Sequence, residues 1–446
     1  MGHLIPSSIA PFVLPVIYAV VIVAVLPLLA GYIVLLERKV MADMQARLGP
    51  MRVGPHGLLQ PIADAVKLLL KEDIIPANAD KLMFWMAPIV SVTMALLAYA
   101  ALPIGPAFQI ADLNVGLLFI LAVSSLGIYG IVLGGWASNS HYSLLGALRS
   151  AAQLVSYETA AGLGLVSALL LAGSLSMKEI VQAQYDQGTW FIFSVPVGFF
   201  IYMVGSIAET NRAPFDLPEA ESELVAGYMT EYSGFRWSLY FLAEYANMII
   251  VAGIATTLFL GGWLRPFARW HDHFPGTSLE FFDVVPTLVF LAAAAYCFWL
   301  APKQPVQVQK FVMLAFGGAC VLLAGAMSAA LFASPELTAG IHGAFWFMAK
   351  VVTYLYAFLW FRFTFPRYRF DQLMRLGWRF LIPLALVNVI DVGVAVILRQ
   401  SLGWSPFWAM LLMTIITLAV AAYLASEGAK VPEAKPESAL QTADTE

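Results

Sequence analysis

The stretch PFVLPVIYAVVIVAVLPLLAGYIVLL, Pro11 to Leu36, decides the fold. It runs for 26 residues without a charge. A helix needs about 20 apolar residues to cross the hydrocarbon core of a bilayer, so this run is long enough to span. It is too long for the apolar region of a cleavable signal and has no small-residue cleavage site. Ten similar runs follow, at about 84–104, 115–137, 152–173, 190–208, 241–263, 284–301, 310–333, 343–363, 379–398 and 406–425. The chain of 446 residues is 61% hydrophobic and 12% charged, against about 25% charged in soluble domains. The expected fold class is all-α: a polytopic membrane helix bundle of about 11 spans. One integral-membrane domain covers 1–425, and a polar, disordered tail covers 426–446.

Basic residues orient the spans. With the N-terminus outside, the cytoplasmic segments hold 19 of the 24 Lys and Arg residues and the outer loops four. That places the C-terminus in the cytoplasm. Cys297 and Cys320 lie inside apolar runs and belong to no CxxC or Cys/His cluster, so no metal site is expected. There is no Walker A motif and no GxGxxG after a strand, so neither ATP hydrolysis nor direct NADH chemistry is expected on this chain. Nucleic acid is not an expected partner.

Two connecting segments are more than tethers. The first, Glu37 to Pro76, reads ERKVMADMQARLGPMRVGPHGLLQPIADAVKLLLKEDIIP. Over 58–72 it has helical amphipathic spacing, with Leu58, Leu59, Ile62, Val66, Leu69 and Leu70 on one face and Asp64, Lys67 and Lys71 on the other. Such a helix lies in the membrane interface or against a partner, although a plain surface helix has the same pattern. The second segment, the loop 209–236, opens with ETNRAPFDLPEAESELVAGYMTE, which holds Glu209, Asp216, Glu219, Glu221, Glu223 and Glu231 against the single base Arg212. Asp216 is placed to cap a helix starting at Pro218, which would set Glu219 and Glu223 four apart on one face. Like charges at that spacing repel, and in a dry site one of them would hold a proton. A solvated loop would carry the same residues with no such chemistry.

Glu158, Glu244, Lys350 and Asp391 fall inside expected spans. A charge at mid-bilayer costs about 2.5–3.5 kcal/mol or more, so each needs a partner, a water-filled cavity or a neutral form. Any one of them alone is explained by a structural hydrogen bond. Four in one chain, beside an acidic loop, suggest a polar track. Tyr157 and Tyr245 neighbour Glu158 and Glu244 in sequence, which leaves open whether they touch them.

Together these stretches resemble one family: the quinone-site membrane subunit of respiratory complex I, the H subunit of the bacterial NADH-quinone oxidoreductase and NADH dehydrogenase subunit 1 of mitochondria. The resemblance rests on the first loop, the acidic loop, ADLNVGLLFILAVSSLGIYGIVLGGWASNSHYSLLGALRSAAQLVSYE, FLAEYAN and FPRYRFDQLMRLGWRFLIPLALVN, in family order. It implies a subunit of a proton-translocating NADH:quinone oxidoreductase in the bacterial inner membrane, inactive alone. Quinone would be the substrate, reaching its reduction site through a tunnel along the first and sixth spans and the interfacial helix. FMN and iron–sulfur clusters would belong to partner subunits of the hydrophilic arm, and small and antiporter-like membrane subunits would be further partners. The resemblance places proton coupling at Glu37, Glu158, Glu209, Asp216, Glu219, Glu221, Glu223, Glu244 and Lys350. It places Arg38, Arg47, Asp64, Arg212, Glu231 and Arg369 at the quinone tunnel or its loops. The family core has eight spans, so the runs at 284–301, 310–333 and 406–425 are additions expected at the periphery. A related component of membrane-bound hydrogenases or ferredoxin-linked complexes shares the pattern without the quinone. A stand-alone ion transporter, the reading of another class, would show inverted repeats, and none is evident.

Overall fold

In hydrocarbon a backbone N–H or C=O has no water partner, and a helix satisfies both within one segment. A computed structural model describes residues 10–106, 108–216, 225–266, 281–304, 306–333, 335–403 and 406–429, and among these there is no strand. The expected acids Glu219, Glu221 and Glu223, and the tail from 430, lie outside the described residues.

The helices are α1 (Ala10–Met44), α2 (Gln60–Leu70), α3 (Lys81–Ala98), α4 (Gly116–Ala137), α5 (His141–Ala172), α6 (Met177–Gln187), α7 (Phe191–Ser194) and α8 (Pro196–Glu209). After the acidic loop come α9 (Gly234–Phe259), α10 (Phe281–Leu300), α11 (Gln307–Ala333), α12 (Pro335–Thr364), α13 (Phe370–Arg375), α14 (Ile382–Leu402) and α15 (Pro406–Ala429). A wider π turn, Leu376–Leu381, joins α13 to α14. Nine segments among the described residues are long and apolar enough to cross a membrane, and they correspond to nine of the eleven expected spans. The other two, Pro196–Glu209 and Met410–Ser426, are apolar but shorter.

Helix boundaries differ from the apolar runs where polar residues continue the helix. α1 continues past Leu36 to Met44 and carries Glu37 and Arg38 on its last turns. At about 1.5 Å per residue it is roughly 52 Å long, well beyond a hydrocarbon core of about 30 Å, so those charges reach its polar end. α5 starts at His141, eleven residues before the expected span.

One helix is the core. α9 has 83% of its most apolar window buried, whereas the other long spans have 17–50%. It packs on α3, α12, α1, α2 and α6, and its buried run from Ala243 to Phe259 fills the centre of the main apolar cluster. α4 approaches its neighbours through glycines, the small-residue packing usual between membrane helices. A Cβ on Gly130 would lie 2.1 Å from Ser91 Oγ on α3, and one on Gly135 would lie 2.3 Å from Ala147 Cβ on α5.

The additions lie outside this core but are not detached from it. α10 and α11 pair with each other, and Leu300, Ala301 and Met313 bury against Leu58 in the first loop. α15 packs along α14, where Thr417 donates to Asp391 Oδ2 at 2.7 Å. Gly135→Leu should drive α4 from α5 at a cost of about 1–3 kcal/mol. Its amount in membranes, read by immunoblot, should fall sharply. Gly162→Ala, where a Cβ meets nothing within 4 Å, should leave it unchanged.

Candidate functional site

Carboxylates inside an apolar bundle need neutralising partners. On α9, Glu244 is 9% exposed, and the 4% exposed Arg212 from the acidic loop pairs with its Oε2 at 2.9 Å. Tyr228 donates to the other oxygen at 2.9 Å. The Arg212 guanidinium also lies 4.7 Å from the ring centre of Tyr245, a cation–π contact. Tyr245 in turn donates to Glu37 Oε2 on α1 at 2.8 Å, and Arg362 at the end of α12 closes on Glu37 Oε1. Four elements therefore meet in one buried polar chain running Glu37, Tyr245, Arg212, Glu244.

The chain continues across a narrow cavity of about 50 Å³ lined by Glu244, Tyr228, Asn247, Glu209 and Glu158. A water needs about 10–15 Å³ of such space, so there is room for a few. A smaller space of about 10 Å³ lies between Glu158, Glu209, Ser124 and Asn247. Among the described residues neither Glu158 nor Glu209 has an ion pair. Each is held by a serine of α4 instead: Ser124 donates to Glu209 Oε1 at 2.8 Å, and Ser125 donates to Glu158 Oε1.

A second, larger cavity borders the Glu37 end. It measures about 440 Å³ and lies between α1, α2 and α9, with Ala30, Val34, Leu35, Leu68, Trp237 and Tyr245 among its mostly apolar walls. Arg38 and Asp64 line it too, paired at 2.8 Å, with Gln60 donating to Asp64 at 3.0 Å. That pair joins α1 to α2 through the polar face of α2. The apolar face turns away from the chain: Ile62, Val66, Leu69 and Leu70 are 48–82% exposed.

The remaining expected residues fall elsewhere. Asp216 pairs with Arg367 at 2.9 Å, a residue of the loop after α12. Arg47 is exposed and bonds Gln45 at 2.7 Å, Arg369 is exposed at the start of α13, and Glu231 is half-buried. Lys350 is not on the track. Its Nζ donates to the main-chain oxygens of Leu260, Gly262 and Leu264 at 2.5–3.0 Å, in the turn that follows α9. Tyr157 bonds Leu373 O at 2.9 Å, not Glu158, and Tyr245 bonds Glu37, not Glu244. Sequence reasoning does not find Arg362, Tyr228, Ser124 or Ser125. An arginine ending an apolar run reads as a snorkelling residue, and serines within a span carry no signal of their own.

A model of the NADH dehydrogenase family matches residues 16–393, from α1 into α14. The chain belongs to that family. The second of two NADH-quinone oxidoreductase H subunits of Solibacter usitatus is 54% identical over 385 residues, covering 85% of this chain and 95% of the relative. An H subunit of the Koribacter versatilis enzyme is 52% identical, covering 85% and 90%, and that of Rickettsia typhi is 43% identical, covering 86% and 94%. The family match takes in every residue of the track and the chamber and stops before α15.

The buried Glu37–Arg362 pair generates a prediction. Arg362→Ala leaves a buried carboxylate without its cation, at a cost of about 3–5 kcal/mol, and should lower the thermal midpoint of the assembled protein. Adding Glu37→Gln should recover much of the loss. A double variant no more stable than Arg362→Ala would show that the pair contributes through packing alone.

Proposed function

We propose that the chain serves as the quinone-site membrane subunit of a proton-translocating NADH:quinone oxidoreductase, and that the cavity between α1, α2 and α9 receives the quinone. The carrying observation is the junction of that cavity with the acid track. Tyr245 lines the apolar chamber and bonds Glu37 at 2.8 Å, so a ligand in the chamber touches the first link of the buried polar chain. A chamber of about 440 Å³ is within the usual size range for a small organic ligand. Its walls suit an isoprenoid tail, and Arg38, Asp64 and Gln60 at its edge suit a polar headgroup. The relatives are named for quinone reduction, and this chain covers 90–95% of the first two.

In this reading Glu37 and Glu244, each fixed to an arginine, form the end of the track that senses charge at the quinone. Glu209 and Glu158, held by hydroxyls beside the cavity, form the end where protons move. Asp216 shares in that coupling, as do the acids at 219, 221 and 223, which lie outside the described residues. Electrons would reach the quinone from FMN and iron–sulfur clusters in partner subunits of a hydrophilic arm. The exposed apolar face of α2 supports docking at the membrane surface, against lipid or those partners. Small and antiporter-like membrane subunits complete the assembly, and the N-terminus lies outside with the C-terminus in the cytoplasm of a bacterial inner-membrane protein.

Two experiments on the whole complex in native membranes test this. Ala65→Trp fills the chamber from α2 and should slow quinone reduction by about tenfold or more, equivalent to about 1.4 kcal/mol of transition-state stabilisation. Reduction of ferricyanide by NADH should be untouched. A wild-type quinone rate with the tryptophan in place would remove the chamber from the pathway. Glu158→Gln and Glu244→Gln should each depress pumping-linked quinone reduction while sparing the ferricyanide rate. Full pumping in both variants would sink the role of the track.

A further inference from the structure

Ser125 makes two hydrogen bonds with one hydrogen. Its Oγ is placed to donate to Glu158 Oε1 on the neighbouring helix α5, and it is also 2.9 Å from the main-chain oxygen of Leu121, one turn back on its own helix. A serine hydroxyl has one donor hydrogen and two acceptor lone pairs, so both donations cannot be complete together. Bonding back to the carbonyl four residues earlier is a standard alternative for serine within a helix. The hydroxyl therefore has two settings, and the protein supplies an acceptor for each.

These settings match the two protonation states of Glu158. With the carboxylate ionised, Ser125 donates to it, a charge-assisted bond. With the carboxyl protonated, its O–H donates to Ser125 Oγ, and the Ser125 hydrogen turns to Leu121 O. Neither state leaves the Ser125 hydrogen or the bonded Glu158 oxygen without a partner, which lowers the cost of a change of charge at this half-buried site.

We propose that Ser125 is a two-position hydroxyl that allows Glu158 to take up and release a proton in place. This rests on the proposed role of Glu158 in the proton track. The transfer itself runs through the space of about 10 Å³ between Glu158, Glu209, Ser124 and Asn247, which is near the minimum for a single water. That water gives one hydrogen to Glu158 and takes one from Glu209, so the net change is one proton moved between the two carboxyls. Ser125 keeps its own hydrogen throughout and only rotates. It is a positioning residue, and Glu158 is the group that changes charge. Ser124 differs: among the described residues its only bond is to Glu209 Oε1, at 2.8 Å.

The test uses the intact complex in proton-tight vesicles, with Ser125→Ala, Ser125→Thr, Ser125→Cys and Glu158→Gln compared with wild type. Ser125→Ala should slow coupled NADH:quinone turnover about tenfold, the worth of one hydrogen bond to a charged group. The ferricyanide rate should stay at the wild-type value. Ser125→Thr keeps both settings and should restore turnover to within about twofold. Ser125→Cys, a weaker donor of similar size, should fall between them and serves if the alanine variant does not assemble. In infrared difference spectra of quinone reduction, the carboxyl band lost in Glu158→Gln should be shifted in Ser125→Ala and kept in Ser125→Thr. If Ser125→Ala or Ser125→Cys turns over at the wild-type rate while Glu158→Gln is impaired, the two-position hydroxyl is wrong and the acid track stands. If Ser125→Thr is as slow as Ser125→Ala, packing and not the hydroxyl is responsible, and the proposal is overturned. Wild-type turnover in Glu158→Gln would remove Glu158 from the track and overturn this proposal with it.

Discussion

A carboxylate buried among membrane helices has to be neutralised nearby, and Arg212 meets that need for Glu244. The rest of the site depends on this contact. Arg212 lies only three residues after the end of α8, so its pairing to α9 folds the start of the acidic loop inward. That fold brings Glu209 under Ser124 of α4 and leaves the water-sized cavity between Glu209 and Glu244. Arg362 performs the same service for Glu37 and draws the end of α12 to α1. The two guanidinium groups fasten α1, α12 and the loop around the single helix that is almost wholly buried. The polar centre is thus part of what assembles the bundle.

The four track acids divide by partner. Glu37 and Glu244 each face a guanidinium and a phenol, so each carboxylate has a cation and a hydroxyl donor beside it. Among the described residues Glu209 and Glu158 have no ion pair, and each is bonded by a serine hydroxyl. A hydroxyl accepts as readily as it donates, so it accommodates a carboxyl in either protonation state. Geometry therefore separates an arginine-paired end, which Tyr245 joins to the chamber, from a serine-bonded end, and Glu244 lines the small cavity together with Glu209 and Glu158. A signal starting at a ligand in the chamber would reach first the groups that respond by moving, and then the groups that respond by exchanging a proton.

The fold is legible in the sequence wherever a bilayer alone dictates it. Runs such as Pro11 to Leu36, long and apolar throughout, read as helices, since a helix satisfies every backbone group within the one segment. The site is legible in its acids, because charge in such runs is expensive and therefore conspicuous. Its partners are not. Arg362 and Arg212 come from segments about 325 and 32 residues away from Glu37 and Glu244, and no local spacing predicts which base finds which acid. Lys350 shows the same gap. Its charge inside a span marks it as a member of the polar track, yet three main-chain carbonyls of the turn after α9 satisfy an ammonium as well as a carboxylate does. The α2 spacing reads as amphipathic and the helix is amphipathic, but its polar face turns inward because Arg38 is there to meet Asp64.

Asp391 shows what a hydroxyl contact alone can and cannot imply. It lies two residues before the end of the family match, and its partner Thr417 belongs to α15, beyond it. Thr417 donates to Asp391 at 2.7 Å and also to Met413 O at 2.9 Å, the same pair of acceptors that Ser125 has in Glu158 and Leu121. A two-way hydroxyl is therefore a general means of housing a carboxyl between membrane helices, whether or not it does chemistry. The cavity distinguishes the two sites. Glu158 lines both water-sized spaces of the track, within reach of Glu209 and Glu244, whereas Asp391 lines neither of them nor the chamber. The hydroxyl makes a change of protonation tolerable, and water beside the carboxyl makes it reachable. Glu158 has both a serine hydroxyl and a cavity with room for water beside it, whereas Asp391 has the hydroxyl of Thr417 and lines none of these three cavities, which fits a role for α15 in covering a polar group of α14.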